Sequence, residues 1–420
     1  MASFEIKGTI HIIGAGLAGL AAAVRLADGP RNIVLHEAAH QPGGRCRSYC
    51  DSALGMMIDN GNHLLLSGNR DARAFLAATG GEDRLAGPPD ADFAFIDYPT
   101  GKKWHLRPNM GPFPWWIFSP RRRVPGTSAG DYLALLRLFL LRKDMPLAML
   151  LPGRGVVYEC LWRPFFLAAL NIEPAEASSH LAAAVVKETL AKGGRACRPL
   201  YAQSGLTAAF VDPALIYLAR RGVKVRFEHR LRAIVFANRC AAALEFGEDN
   251  VPLEAADKVI LAVPSFAACE IVPGLQAPDS WRAILNAHFK IAPPSGCPPI
   301  LGIINGTAEW LFAFPDRLSV TISNAGRLLD IQRDELAQII WAEVAKVTQI
   351  EKPLPPWQII KEKRATFAAT AEENARRPGA QTAYKNLVLA GDWTATGLPA
   401  TIEGAVRSGH RAADLIAATY

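Results

Sequence analysis

The chain has 420 residues, half of them apolar and a fifth charged, which excludes a disordered or collagen-like polymer and leaves room for two or three packed domains. Its seven cysteines (Cys46, Cys50, Cys160, Cys197, Cys240, Cys269 and Cys297) form no CxxC pair, so neither a zinc site nor a disulfide framework follows, and a reducing, cytosolic compartment fits. The formal charge of +7 reads as mild and spread along the chain, unlike the concentrated basic face of a nucleic-acid binder, with attraction to an anionic membrane surface left open.

The polar lead Met1–Lys7 carries no signal-peptide pattern, and no run of about eighteen uncharged apolar residues predicts a membrane span. Thr9–Ile13 reads as a buried strand. Gly14-Ala15-Gly16-Leu17-Ala18-Gly19 follows at once, then an Ala-rich helical run over Leu20–Ala27 and a second strand at Ile33–Leu35 that leads to Glu37. This order predicts dinucleotide binding. Gly14 permits the tight turn, Gly16 lets the backbone approach a pyrophosphate, and Gly19 lets helix pack on strand. The helix N-terminus presents free N–H groups and a partial positive charge to phosphate. Glu37 can accept hydrogen bonds from ribose hydroxyls and disfavours a 2′-phosphate. A ligand-free Gly-rich turn is the plainer alternative, but strand, glycines, helix, strand and acid all occur in sequence.

Pro42-Gly43-Gly44-Arg45-Cys46-Arg47-Ser48 comes next. Two glycines bring the backbone close to a cofactor, and Arg45 and Arg47 can meet phosphate or flavin oxygens; the alternative is a surface turn with two solvated arginines. Asp59-Asn60-Gly61-Asn62-His63 is a polar turn placed to lie along an isoalloxazine ring. Further on, Phe113-Pro114-Trp115-Trp116-Ile117-Phe118 precedes Arg121-Arg122-Arg123, and Tyr132–Leu141 is an apolar helical run broken by Arg137. That composition fits an interfacial helix at a headgroup boundary as well as it fits a core corner beside a solvated Arg cluster. Val223–Phe227, Ala233–Phe236 and Ala241–Phe246 read as strands of a meander, and Lys258–Val263 as a buried strand. Near the end, the strand Leu387–Ala390 stops at Gly391-Asp392. A helical run over Glu403–Ala417 then turns its N-terminus toward negative charge on a flavin or pyrophosphate.

The GxGxxG opening, Glu37, Gly43-Gly44-Arg45 and Leu389-Ala390-Gly391-Asp392 leading to Ile402-Glu403-Gly404-Ala405 together resemble the FAD-dependent amine oxidase and phytoene desaturase superfamily. Within it, the chain is similar to the bacterial hydroxysqualene dehydroxylases. Asn171-Ile172-Glu173-Pro174, Trp310-Leu311-Phe312 and the tail from Lys361 through Arg377-Pro378 to Gly391-Asp392-Trp393 and Thr396–Glu403 carry that likeness. The resemblance implies an α/β chain with a Rossmann-type, glutathione-reductase-like FAD-binding domain and a discontinuous α+β substrate domain. The first is expected over 1–70, 196–264 and 382–420, the second over 71–195 and 265–381. It implies non-covalent FAD held by Gly14, Gly16, Leu17, Ala18, Gly19, Glu37, Gly43, Gly44, Arg45, Asn60, Gly61, Asn62, His63, a backbone group near Leu231, Gly391, Asp392, Thr401, Ile402, Glu403 and Ala405. No metal is expected.

The implied chemistry is reduction of an allylic alcohol, hydroxysqualene, to squalene. It requires a proton donor for the departing hydroxyl. His63, Tyr201 and Lys290 are the candidate acids, and none has a spacing that singles it out. Trp310, Phe312 and Phe314 could line an apolar tunnel and favour cationic charge through their ring faces. Amine oxidases of the superfamily commonly place a lysine near the flavin, and Lys290 lies in roughly that part of the chain without matching surroundings. The competing readings are a carotenoid-type desaturase, another amine-oxidase-like oxidoreductase on an apolar substrate, and a flavin-binding lipid carrier. Expected partners are a polyisoprenoid, a membrane surface, and NAD(P)H or a reductase as electron donor, with no nucleic acid. The expected location is cytoplasmic, with peripheral attachment to the inner membrane.

Overall fold

The computed structural model describes residues 8–140 and 142–418; the lead Met1–Lys7 and Leu141 lie outside the described residues. Two sheets organise the chain. The first is parallel and five-stranded, in the order Lys224–Arg226, β2 (Asn32–His36), β1 (Thr9–Ile13), Lys258–Leu261, Leu387–Leu389. Most of its strands are short apolar runs because both faces are covered: Ile10, Ile12, Ile33, Leu35 and Ile260 pack against helices, while Ile13, Val259, Leu261 and Leu389 face the core that holds Leu231, Ile234 and Leu244, which removes the need for polar alternation. Val223–Phe227, expected in the meander, supplies the edge strand of this sheet instead. It follows the helix Asp212–Ala219, and a strand fed by a crossover helix returns parallel to its neighbour. The meander proper is Ala233–Ala237, Cys240–Glu245 and Asn250–Pro252.

Helix α1 (Leu17–Leu26) is buried from Leu17 to Val24. Its alanines have a steric reason. The C-terminal helix Ile402–Ala417 crosses it so closely that a Cβ on Gly409 would stand 2.2 Å from the Ala18 carbonyl oxygen. Helix α2 (Arg70–Thr79) packs Ala72, Phe75 and Leu76 into the same core. The dinucleotide core therefore extends past residue 70, one element beyond the expected boundary.

The second sheet has seven strands, in the order Trp357–Phe367, Trp281–Phe289, Leu318–Ile322, Trp310–Ala313, Ile300–Ile304, Phe93–Asp97, Lys103–Leu106. One parallel pairing, Ile300–Ile304 with Phe93–Asp97, welds the two sequence segments of this half together. Side chains alternate between faces with period two. Leu285, Ala287, Leu311 and Val320 pack against the helix Arg333–Thr348 through Leu336, Ile340 and Val344. The opposite face carries Asn286, Thr321, Trp310 and Phe312 toward the Asn60–His63 turn. Among the described residues no helix is long and apolar enough to cross a membrane.

Glu403, expected among the cofactor contacts, is buried, and its carboxylate caps α2. It accepts from the Asp71 and Ala72 N–H groups at 3.1 and 2.9 Å, and Arg407 bridges Glu403 and Asp71. The reason is that Asn69, at the N-cap of α2, makes no side-chain cap, so the orphan donors are met from the neighbouring helix. Glu403→Ala is expected to cost about 1–2 kcal/mol of stability, read as a lower urea midpoint.

Candidate active site

The cradle begins where β1 turns into α1. Gly14 holds φ +105°, and its N–H donates to the His36 carbonyl at 2.7 Å. Gly19 sits so close that a Cβ there would fall 1.8 Å from the Gly14 oxygen, whereas a Cβ on Gly16 would meet nothing within 4 Å. Space is thus kept open above Gly16, at the bare N-terminus of α1. Gly16 is the N-cap, offers no side chain, and no acidic residue occupies the first turn of Leu17 and Ala18. An anion there gains about 0.3–1 kcal/mol from the helix dipole, more where partly buried. Glu37 accepts from the Ala15 and Ala39 N–H groups, both at 2.8 Å, one on each carboxylate oxygen. Each oxygen keeps a lone pair for a ribose hydroxyl.

Gly43 donates to the Ala15 carbonyl at 2.8 Å, which lays the Gly43-Gly44-Arg45 turn beside the cradle. Arg45 lies deep in the molecule yet keeps 43% of its side-chain surface open, so it lines an internal cleft. It donates to Asp392 at 2.8 Å and to the Ala365 carbonyl at 2.5 Å. Beside it, burial pushes the Cys46 thiol up to about 12, which keeps it protonated and unreactive. On the other side, Gly391 donates to Ser408, and Arg377, buried, gathers the carbonyls of Asp392, Trp393 and Thr394. Thr401 caps the C-terminal helix by accepting from the Gly404 N–H at 3.0 Å, setting Ile402 and Ala405 in its first turn and a half. Leu231 is buried, and among the described residues nothing accepts from its N–H.

The Asn60–His63 turn closes the cleft against the second sheet. The Asn62 N–H donates to Asn286 Oδ1 at 3.3 Å, Asn62 Nδ2 donates to Thr321 at 3.1 Å, and Asn60 Nδ2 donates to Glu362 at 3.3 Å. Asn62 Oδ1 is buried without a hydrogen-bond partner, an acceptor that a ring N–H of a bound flavin could satisfy. An open phosphate cradle, a deep arginine and an orphaned acceptor are what a flavin dinucleotide requires, so the residues fit the group.

The candidate acids separate. Burial lowers the His63 pKa, and Nδ1 lies 2.8 Å from the Gly61 carbonyl, which can only accept. His63 is then neutral with Nε2 as an acceptor, contrary to its expected role as proton donor. Lys290 is exposed at the end of its strand and donates to the Leu54 carbonyl at 2.7 Å. Four residues from Asn286, it stands about 13 Å further along the strand. Tyr201 is buried in an apolar cluster with Ile300, Phe312 and Phe314, against Leu64 and Trp310, and burial raises its pKa. It remains a phenol, and no described residue accepts from its hydroxyl. Asn286, Thr321 and Glu362 had no signal in the sequence, because their partners come from strand register. Glu309, beside Trp310, was also missed. It accepts from the Ser323 N–H at 2.7 Å, and burial raises its pKa to about 7.

A model of the family described as flavin containing amine oxidoreductase matches residues 17–417. Over 98% of both chains, the sequence is 54% identical to a hydroxysqualene dehydroxylase of Rhodopseudomonas palustris. Over 97% of both, it is 52% identical to one of Sinorhizobium fredii. The solved structure of cyclohexylamine oxidase from Brevibacterium oxydans is similar at a TM-score of 0.69, with 18% identity over 98% of this chain and 99% of that one.

Gly16→Ala is expected to leave the flavin-free thermal midpoint nearly unchanged, since no protein atom lies within 4 Å of the added Cβ, while flavin binding weakens roughly tenfold or more; the ratio of flavin to protein absorbance reads it. Gly19→Val should instead fail to fold. Glu309 gives a pH signature. Its folded pKa lies above the unfolded value, so its contribution to stability is full below about pH 4.5 and lost as pH rises through about 7. Relative to Glu309→Gln, the wild-type urea midpoint is expected to fall across that window.

Proposed function

The chain belongs to the flavin-containing amine oxidoreductase family, and on that premise we propose that it is an FAD-dependent dehydroxylase that reduces hydroxysqualene to squalene. The observation that carries this reading is identity above half, over nearly the whole of both chains, with relatives named for that reaction. The substrate's allylic C–O bond breaks, a C–H bond forms at carbon, and the hydroxyl leaves as water with one added proton. When bound and reduced, FAD supplies the hydride.

The chain's own residues do the rest. Gly14, Gly16, Gly19 and the first turn of α1 hold the pyrophosphate, Glu37 the ribose, and Arg45 with Asp392 and Asn62 the flavin end. Trp310, Phe312 and Phe314, with the cleft face of the second sheet, exclude water and offer ring faces to positive charge at the allylic carbon. Tyr201 is the candidate proton donor, protonated in an apolar setting; His63 is a candidate acceptor that orients the hydroxyl. Lys290, pinned to Leu54, is not given the lysine role of the amine oxidases. The reaction is assigned to a membrane surface, where such lipids reside, with NAD(P)H or a reductase renewing the reduced flavin.

The test is anaerobic mixing of photoreduced protein with hydroxysqualene. Flavin absorbance is expected to return with squalene formed in equal amount. Persistent bleaching with no squalene would sink the proposal, and bleaching of oxidised protein by a more saturated polyene would mark a desaturase instead.

A further inference from the structure

Exposed apolar surface on this protein is gathered in one segment. Among the described residues, ten of the sixteen large apolar side chains that stand exposed lie between Met110 and Val156. Trp115 is 65% exposed and Leu140 82%. The charge follows the same segment. Residues 110–156 hold seven basic residues and two acidic ones, so +5 of the net +7 sits here, and the excess that reads as spread along the chain is concentrated.

The local structure turns these groups outward. The helical run expected over Tyr132–Leu141 falls in a 3₁₀ run at Ala129–Phe139. With three residues per turn, Tyr132, Leu135 and Leu138 share the inner face and Leu133, Leu136 and Phe139 the outer ridge. Trp116 is buried edge-on to Tyr132, which meets Trp162 in the same way, and this anchors the segment. Phe113, Trp115 and Phe118 stay outside and touch one another. The two acids are engaged locally. Asp131 accepts from the Ser128 N–H, and Asp144 from the Ser178 hydroxyl and Asn374. The seven cations form no salt bridge among the described residues.

We propose that the Met110–Val156 face docks on a bilayer containing anionic lipid, its apolar ridge at the acyl boundary and its arginines among the phosphates; the inference rests on the polyisoprenoid reading of the substrate. Aromatic and Leu side chains beside unpaired arginines match the depth profile of a headgroup boundary. A second copy of this chain is a poorer occupant, because a self-complementary interface would set these unpaired cations against each other. The same core cluster that anchors the segment also holds Phe95 and Trp104, with Trp310 packed on it, so the docked face backs directly onto the cleft.

The test is flotation of the flavin-loaded protein with phosphatidylglycerol–phosphatidylcholine vesicles and with phosphatidylcholine alone. The wild type is expected to float with the anionic vesicles preferentially, and less so in high salt. Two combined variants, Trp115→Ser with Phe118→Ser and Leu136→Ser, and Arg121→Gln with Arg122→Gln and Arg123→Gln, should each lose roughly tenfold or more of that binding. Both should keep wild-type turnover of detergent-dispersed hydroxysqualene and lose turnover from vesicles. Variants that float like the wild type overturn the docking, as does a wild type that ignores vesicles and sediments as a dimer that the variants dissociate. Absence of turnover in detergent by the wild type counts against the dehydroxylase reading, and flotation decides the docking on its own.

Discussion

Arg45 and Asp392 stand 347 positions apart and meet at 2.8 Å. Asp392 is buried, and a buried carboxylate without a cation beside it is costly. Arg45 in turn donates to the Ala365 carbonyl on the longest strand of the second sheet. One guanidinium therefore ties together the glycine turn beside the phosphate cradle, the C-terminal loop and the sheet that walls the cleft. A hydrogen bond to a charged group contributes about 1.5–3 kcal/mol, and the half-open guanidinium places this one toward the low end. Its importance is geometric: it aligns three segments whose own folding does not refer to one another.

Around that junction the chemistry is divided by the period of the second sheet. One face packs Leu, Val and Ala against a helix and is dry structure. The other face presents Asn286 and Thr321 to the Asn60–His63 turn at one place and Trp310 and Phe312 at another. A polar patch for the cofactor and an apolar aromatic wall for a polyisoprenoid thus come from alternate residues of the same strands. Burial sets the protonation on that side. It lowers the His63 pKa, which favours the neutral ring, and raises that of Tyr201, which keeps the phenol protonated.

The Trp116–Tyr132–Trp162 contacts extend the logic outward. The inner face of the Met110–Val156 segment belongs to the core that reaches Phe95 and Trp104, and its outer face carries exposed aromatics and unpaired arginines. A lipid leaving a bilayer on that side would have only the thickness of one hydrophobic cluster between it and the cleft.

What the sequence determined by itself was the cradle: β1, the glycine spacing, α1 and Glu37 all lie where local pattern puts them. Those features depend on neighbours a few residues away, through backbone sterics and runs of apolar side chains, so they can be read without knowing the rest of the fold. The tertiary structure decided the placements that depend on distant partners. It moved Lys224–Arg226 into the parallel sheet and engaged the Glu403 carboxylate at the end of α2. It also brought Asn286 and Thr321 under the Asn60–His63 turn. It decided as well that the basic excess of residues 110–156 stands beside exposed Trp and Leu. Exposure and register are properties of packed surfaces, and no spacing along the chain encodes which surfaces will meet.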